Sequence, residues 1–526
     1  MSARSDNTPD SYLRLTELLA EVVNLRRVAA LAYWDQQTMM PRAAAAARGN
    51  HLAALNKIAH EKFTSPEVGR LLEELRSYEA SLPYESDEAS TIRVARREYE
   101  KATRLPPDLV VRLSRAQTQA FTVWLQAREA NDYKVFRPAL ERLYGVTREV
   151  TEALGYEEHP LDALLDRSEP GMKAREVEAL FDRLRTELVP FCRAVLERAG
   201  AVDDGFLRQR FPEAAQLAAG RDAAALTGFD LSSRGRLDLS VHPFTISFAP
   251  DDVRITTKFD EHYLPTGLYA CIHEAGHGTY EQGIPSRFAE SLLGDGASGG
   301  LHESQSLLWE NVVGRGRGFC EYFLPRLKTY FSDQLEGVSV ESFYRAVNKV
   351  QPSFIRVDAD EVTYNLHVMI RWELEKAVYD GRLDLSDLAD AWNAKFREYL
   401  GIEPPDDLHG VLQDIHWTSG FGADFASYTI GHVSCAALYA RARADIPDLE
   451  AGFPRGEFRP LLEWMNRNVH AWGAKLEPQE LLVRVTGRPL EAGPYLTYIK
   501  DKFSAIYGLE REQGPRGERG PEGERG

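Results

Sequence analysis

What most constrains this chain is its apolar spacing, which is helical almost from end to end and turns strand-like only once. Leu15, Leu18, Leu19, Val22 and Val23 recur three and four residues apart, with charges on the opposite face. That is the pattern of an amphipathic helix laid on a core. Similar spacing runs from about Tyr12 to Ala201, punctuated by Pro41 and by Pro106-Pro107. Trp34, Asp35 and Gln36 close the first run, and the Ala-rich stretch Arg42 to Leu55 favours helix and close packing on a neighbour. Between Leu237 and Lys258 the period changes. Leu237, Leu239 and Val241 alternate, the phase slips at His242-Pro243, and Phe244, Ile246 and Phe248 resume on even positions. Val253 and Ile255 alternate again after Pro250-Asp251-Asp252. A slip at proline marks a bulge or strand break. The expectation is a mainly α body with one small antiparallel sheet set into it.

The 526 residues are 43% hydrophobic and 27% charged, enough apolar material for a large core. The net charge of −17 repels phosphate backbones, so nucleic acid is not an expected partner. Cys192, Cys271, Cys320 and Cys435 are scattered with no CxxC pair, which excludes a disulfide framework and a cysteine metal site and reads as buried thiols. Met1 to Asp10 carries no apolar signal region, and no run approaches the roughly 20 apolar residues of a membrane helix. A cytoplasmic protein without membrane contact is expected. At the end, Gly514, Gly517, Gly520, Gly523 and Gly526 fall every third residue with Pro515 and Pro521 between them, a collagen-like spelling too short to hold a triple helix. It reads as a flexible tail over 510–526, with a flexible N-terminus over 1–11.

The segment Cys271-Ile-His-Glu-Ala-Gly-His277 contains HExxH. Residues four apart on a helix share a face, so His273 and His277 can offer imidazole nitrogens to one ion. Glu274 adjoins the first of them and can take a proton from metal-bound water. The helix this requires is spelled by Leu264 to Gln282, begun near Pro265 and ended near Gly283. A third protein ligand is still missing. After the glycines at 294, 296, 299 and 300, a helix opening at Leu301-His-Glu-Ser-Gln-Ser-Leu-Leu-Trp-Glu310 would put Glu303 near its start. Spacing leaves three readings open: Glu303 as ligand, its neighbour His302 as ligand, or Glu303 as a first-turn glutamate on the helix dipole.

Six segments in order resemble the thermostable (Taq-type) metallocarboxypeptidase family: His242-Pro-Phe244, Asp252-Val-Arg-Ile-Thr256, His273-Glu-Ala-Gly-His277, His302-Glu-Ser-Gln305, Ile355-Arg-Val-Asp-Ala-Asp360 and Gly410-Val-Leu-Gln-Asp-Ile-His-Trp417. Trp34-Asp-Gln36 is also similar to its N-terminal helices, and the likeness runs from about Tyr12 to Leu509. The resemblance implies Zn²⁺ on His273, His277 and Glu303, with Co²⁺ or Mn²⁺ able to occupy the same ligands. It implies a single catalytic domain over 12–509, helical to about 235 and again over 264–509, folded as a two-lobed body around a deep cleft. It also implies a homodimer that removes single residues from peptide C-termini with broad specificity. The collagen-like tail lies outside the family pattern.

Peptide hydrolysis needs a base, here Glu274, and donors where the carbonyl oxygen becomes an oxyanion. His416 and Tyr428, flanking the turn-rich Thr418 to Gly422, are the candidates, since related helical zinc peptidases use a His and a Tyr; a core tyrosine is the alternative for Tyr428. A free C-terminal carboxylate calls for arginine, whose fork meets it bidentately. Arg356 is the first candidate and Arg254 the second. The alternatives are internal pairs, Arg356 with Asp358 or Asp360 and Arg254 with Asp252. Gln413 and Asp414 are placed to orient His416 and the substrate. Some HExxH peptidases follow the ligand glutamate with an Asp that braces a histidine, but Ser304 follows here, so the brace falls to Glu310 or Asp360. Rival readings are a zinc oligopeptidase or endopeptidase, a hydrolase of non-peptide amides, and a non-catalytic zinc-stabilised scaffold.

Overall fold

The structure, a computed structural model, describes residues 8–420, 422 and 424–509. The collagen-like tail therefore lies outside the described residues, as do the first seven residues of the N-terminal segment. The first helix, Asp10–Thr38, carries the Leu15 to Val23 stripe into the core and continues two residues past Gln36. It is followed by a 3-10 turn, Arg42–Ala44, and the helix Ala45–Phe63. This helix packs along the first one, with Arg48 bonded to the Ala32 carbonyl and to Asp35, but buries only Ala59 and Phe63. Alanine favours the helix without supplying apolar area to bury.

The sheet has three strands, β1 (Gly235–Leu239), β2 (Thr245–Ala249) and β3 (Asp252–Thr257), in the order β1-β3-β2. It is mixed rather than wholly antiparallel, for β3 runs antiparallel to β2 but parallel to β1. The connection containing His242-Pro243 carries the chain past the place beside β1, and the tight return at Pro250-Asp251 then lays β3 into that place. Leu237, Val253 and Ile255 pack with Cys271 and Ala275, so the sheet backs onto the helix that bears HExxH.

Two large apolar cores flank the site. One gathers the first helix, Leu264, Leu268 and Ile272, Trp309 and the helix Arg459–Asn468. The other gathers Phe136, Leu366, Trp372, Trp417 and Phe425. The long helix Phe425–Asp445 belongs to both, Ile430 and Val433 on one side and Cys435 and Leu438 on the other. All four cysteines are buried and unpaired. No helix of the described residues is long and apolar enough to cross a membrane.

Candidate active site

HExxH occupies the middle of the helix Leu264–Gly283, with Pro265 in its first turn. His273 and His277 are stacked edge-on one turn apart, ring centroids 5.0 Å. Glu303 comes from the short helix Gly299–Leu307, whose start is capped by the Ser298 hydroxyl. Its Oε2 stands 3.3 Å from His277 Nε2 and 3.8 Å from His273 Nε2. One ligand atom from each of the three residues lies within 4.8 Å of the others. His302, the competing third ligand, instead sets Nε2 2.9 Å from Glu281 Oε1 and stacks on the His277 ring.

Two glycines make this convergence possible. A Cβ at Gly276, inside HExxH, would lie 2.6 Å from Ser306 Cα and 2.7 Å from the Gln305 carbonyl oxygen. The Glu303 helix therefore touches the HExxH helix backbone to backbone. On its other side a Cβ at Gly431 would meet Glu303 Cβ and Cγ at 2.9 Å. Only a bare backbone leaves room for a third helix between these two.

Downstream of Glu303 the helix widens into a π turn, Leu308–Gly314, a distortion common at functional sites. It carries Glu310, whose Oε2 is 2.8 Å from His273 Nδ1 and whose Oε1 accepts from Arg315 at 3.0 Å. Glu310 is thus the brace. Asp360 is not, because its carboxylate is spent accepting from Gln351 N, Val362 N and the Thr363 backbone and hydroxyl, in the turn that leads into the helix Tyr364–Tyr379. With His273 held at Nδ1, its Nε2 faces Glu303. Two imidazoles and a carboxylate so arranged would suit a divalent cation.

Electrostatics follow from burial and proximity. Burial opposes a charged Glu303, yet the His273 and His277 imidazoles hold its carboxyl down at about 2. Burial also opposes the His273 imidazolium, but Glu303 and Glu310 push it up to about 10. His277 falls to about 4 through burial and the neighbouring His302. Glu274 is raised by burial, against the pull of His273 and of a hydrogen bond from Thr245. The Thr245 hydroxyl lies 2.7 Å from Glu274 Oε2.

The second wall is built on Asp414. Its Oδ1 meets His416 Nδ1, and its Oδ2 accepts from Arg356 Nε at 3.0 Å. Arg356 thus pairs with neither Asp358 nor Asp360. Its Nη1 donates to the Tyr364 hydroxyl at 2.9 Å, and its guanidinium lies over Phe425 and Tyr428. Asp414 is held well below the usual carboxylate range; burial opposes this, but His416, Arg356 and Arg371 outweigh it. Gln413 makes no bond to His416. Its side chain accepts from Arg356 N and donates to the Phe354 and His409 carbonyls, fixing the turn that carries Arg356. Arg254 is forked onto Asp252 at 2.9 and 3.0 Å, between Trp34 and Phe248. Tyr428 is half-buried against His416 and Tyr364, and the charge of Glu303 reaches it; burial raises its hydroxyl pKa.

Sequence reasoning missed Thr245, Tyr364 and His432. Thr245 stands out of phase with Phe244 and Ile246, and that opposite phase was the available signal. Tyr364 and His432 line, with His273 and Glu303, a cavity of about 240 Å³ that also touches the turn following Arg356. Nothing in their spacing marks them.

Residues 14–503 match the carboxypeptidase Taq (M32) metallopeptidase family. The chain is 41% identical to thermostable carboxypeptidase 1 of Thermus thermophilus, over 95% of this chain and 100% of the relative. It is 34% identical to carboxypeptidase 1 of Bacillus subtilis, over 94% and 98%. Among solved structures, the M32 carboxypeptidase of Deinococcus radiodurans superposes with a TM-score of 0.92 at 41% identity, covering 95% of this chain and all of that one. With that match spanning both walls of the cleft, the chain belongs to the M32 metallocarboxypeptidases.

Proposed function

We propose that this metallocarboxypeptidase uses zinc, held by His273, His277 and Glu303, and Glu274 as general base, to release single residues from peptide C-termini with broad specificity. The observation that carries the reading is the convergence of two imidazoles and a carboxylate beside a buried glutamate. A divalent cation held there would supply Lewis acidity toward the scissile carbonyl and would lower the pKa of the attacking water. Glu274 accepts the proton of the attacking water at its carboxylate and returns it to the leaving amine. Thr245 holds that carboxylate in place through Oε2.

Across the cleft, Arg356 takes the substrate's terminal carboxylate. Its Nε and Nη1 are tied to Asp414 and Tyr364, which fixes the guanidinium plane, and its Nη2 carries no bond among the described residues. Arg254, forked onto Asp252, shapes the sheet wall instead. His416 and Tyr428 donate to the developing oxyanion. Asp414 on Nδ1 turns the other imidazole nitrogen of His416 outward, and burial keeps the Tyr428 hydroxyl protonated, as a donor must be.

The test combines metal analysis with mass-spectrometric digestion of one unblocked peptide and its amidated twin. A ladder of single C-terminal losses from the first, and none from the second, is expected. Strong cleavage of the amidated peptide would defeat the exopeptidase assignment. The family resemblance also supports a cytoplasmic homodimer, for which sedimentation of the purified protein is the direct check of assembly.

A further inference from the structure

The cavity beside His273 and Glu303 is lined by those two residues, by Tyr364, and by the turn that follows Arg356, Val357 to Ala359. On the carboxypeptidase reading, on which this inference rests, the scissile bond lies at the metal ligands and the terminal carboxylate at Arg356. The last side chain of the substrate then leaves the backbone between those two points, and the cavity that borders both His273 with Glu303 and the turn after Arg356 is the space open to it.

Most of the charges around that space are committed. Glu310 is shared by His273 and Arg315, Glu361 is paired with Lys502 at 2.6 Å, and Asp360 is bonded to the backbone of the turn before Tyr364. Lys349, a cation on the lining, is paired with Asp204 at 2.7 Å. Asp358 differs. It lies on the lining and is exposed there, and no ion pair or side-chain hydrogen bond engages its carboxylate among the described residues. Leu307, Ala346 and Val347 add apolar surface to the same cavity, suited to the methylene stem of a long basic side chain whose head stays polar.

We propose that Asp358 is a specificity-determining residue that receives the cationic head of a C-terminal lysine or arginine, so that basic residues are released preferentially within a broad range. A C-terminal glutamate finds there an uncommitted carboxylate and no uncommitted cation, and is released slowest.

The experiment uses the full-length, metal-loaded protein and matched unblocked peptides that differ only in the last residue, arginine, leucine or glutamate. The readout is the ratio of kcat/KM values within each protein, so that a change in folding or metal loading cancels. Wild type is expected to favour arginine over leucine and leucine over glutamate. Asp358→Asn should lower the arginine-to-leucine ratio about fivefold, the upper end for a partly exposed ion pair, mainly through KM. Asp358→Lys should raise the glutamate-to-leucine ratio by a similar factor. An arginine-to-leucine ratio unchanged in Asp358→Asn would overturn the assignment. Failure of wild type to release any last residue would instead remove the carboxypeptidase reading itself, an outcome seen before any variant is compared.

Discussion

The contact at Gly276 allows a prediction whose size can be worked from the coordinates. In Gly276→Ala the new Cβ would stand 2.6 Å from Ser306 Cα and 2.7 Å from the Gln305 carbonyl oxygen, against the 3.4 Å of ordinary contact. Both obstacles are backbone, so no side chain can swing aside. The two helices must part by about 0.8 Å, several times the ±0.2 Å within which metal–ligand distances are held. Glu303 rides on the helix that moves, whereas His273 and His277 stay behind. Metal affinity should fall on the order of 10- to 100-fold, as for other losses of ligand alignment. Alanine in place of mid-helix glycine ordinarily stabilises by about 1 kcal/mol, but overpacking costs about 1–3 kcal/mol, so the metal-free variant should be no more stable than wild type. Competition with a chelator gives the affinity, and thermal unfolding of the metal-free protein gives the stability. Wild-type metal affinity in Gly276→Ala would refute the idea that backbone contact sets the ligand geometry.

Glu274→Gln keeps an acceptor for Thr245 and should retain metal while kcat falls about 10²- to 10⁴-fold; near-normal turnover would remove Glu274 as the base. Glu310→Gln leaves Arg315 and His273 competing for one acceptor oxygen, and should weaken metal binding about 10- to 100-fold in the same chelator assay. Arg356→Lys keeps the charge but loses the fork; kcat/KM for unblocked peptides should drop by at least about tenfold, and an unaffected value would reassign the carboxylate site. Glu169 is fully buried and accepts from Gly300 N at the start of the Glu303 helix, and burial raises its carboxyl to about 7. The folded state therefore holds a proton that the unfolded chain loses near its ordinary value, so this stabilisation is complete below about 4.5 and lost as pH rises through about 7. The slope is at most about 1.4 kcal/mol per pH unit. Glu169→Gln should flatten apparent Tm against pH across that window relative to wild type, and an unchanged profile would contradict the shift.

Much of this was legible because it is local. HExxH puts His273 and His277 on one helix face through periodicity alone, and the change of period near Leu237 placed the sheet within two residues of its observed start. Where tertiary contacts decide, the sequence left alternatives. His302 and Glu303 are adjacent, and only the sandwich between Gly276 and Gly431 brings Glu303 toward the imidazoles. Arg356 has Asp358 and Asp360 close in sequence, yet it binds Asp414, which no periodicity links to it. The parallel pairing of β1 with β3 likewise depends on the path of a connection rather than on alternation. Thr245 was hidden for a related reason: the polar phase of an edge strand reads as solvent-facing until a helix is laid against it.

The two walls of the cleft are also far apart in the order of synthesis. The ligand helices end at Leu307, but the opposing face needs Tyr428, and the Lys502 ammonium that neutralises Glu361 comes only in the last helix, Gly493–Tyr507. A ribosome thus emits a chain that can gather its histidines well before it can grip a peptide end.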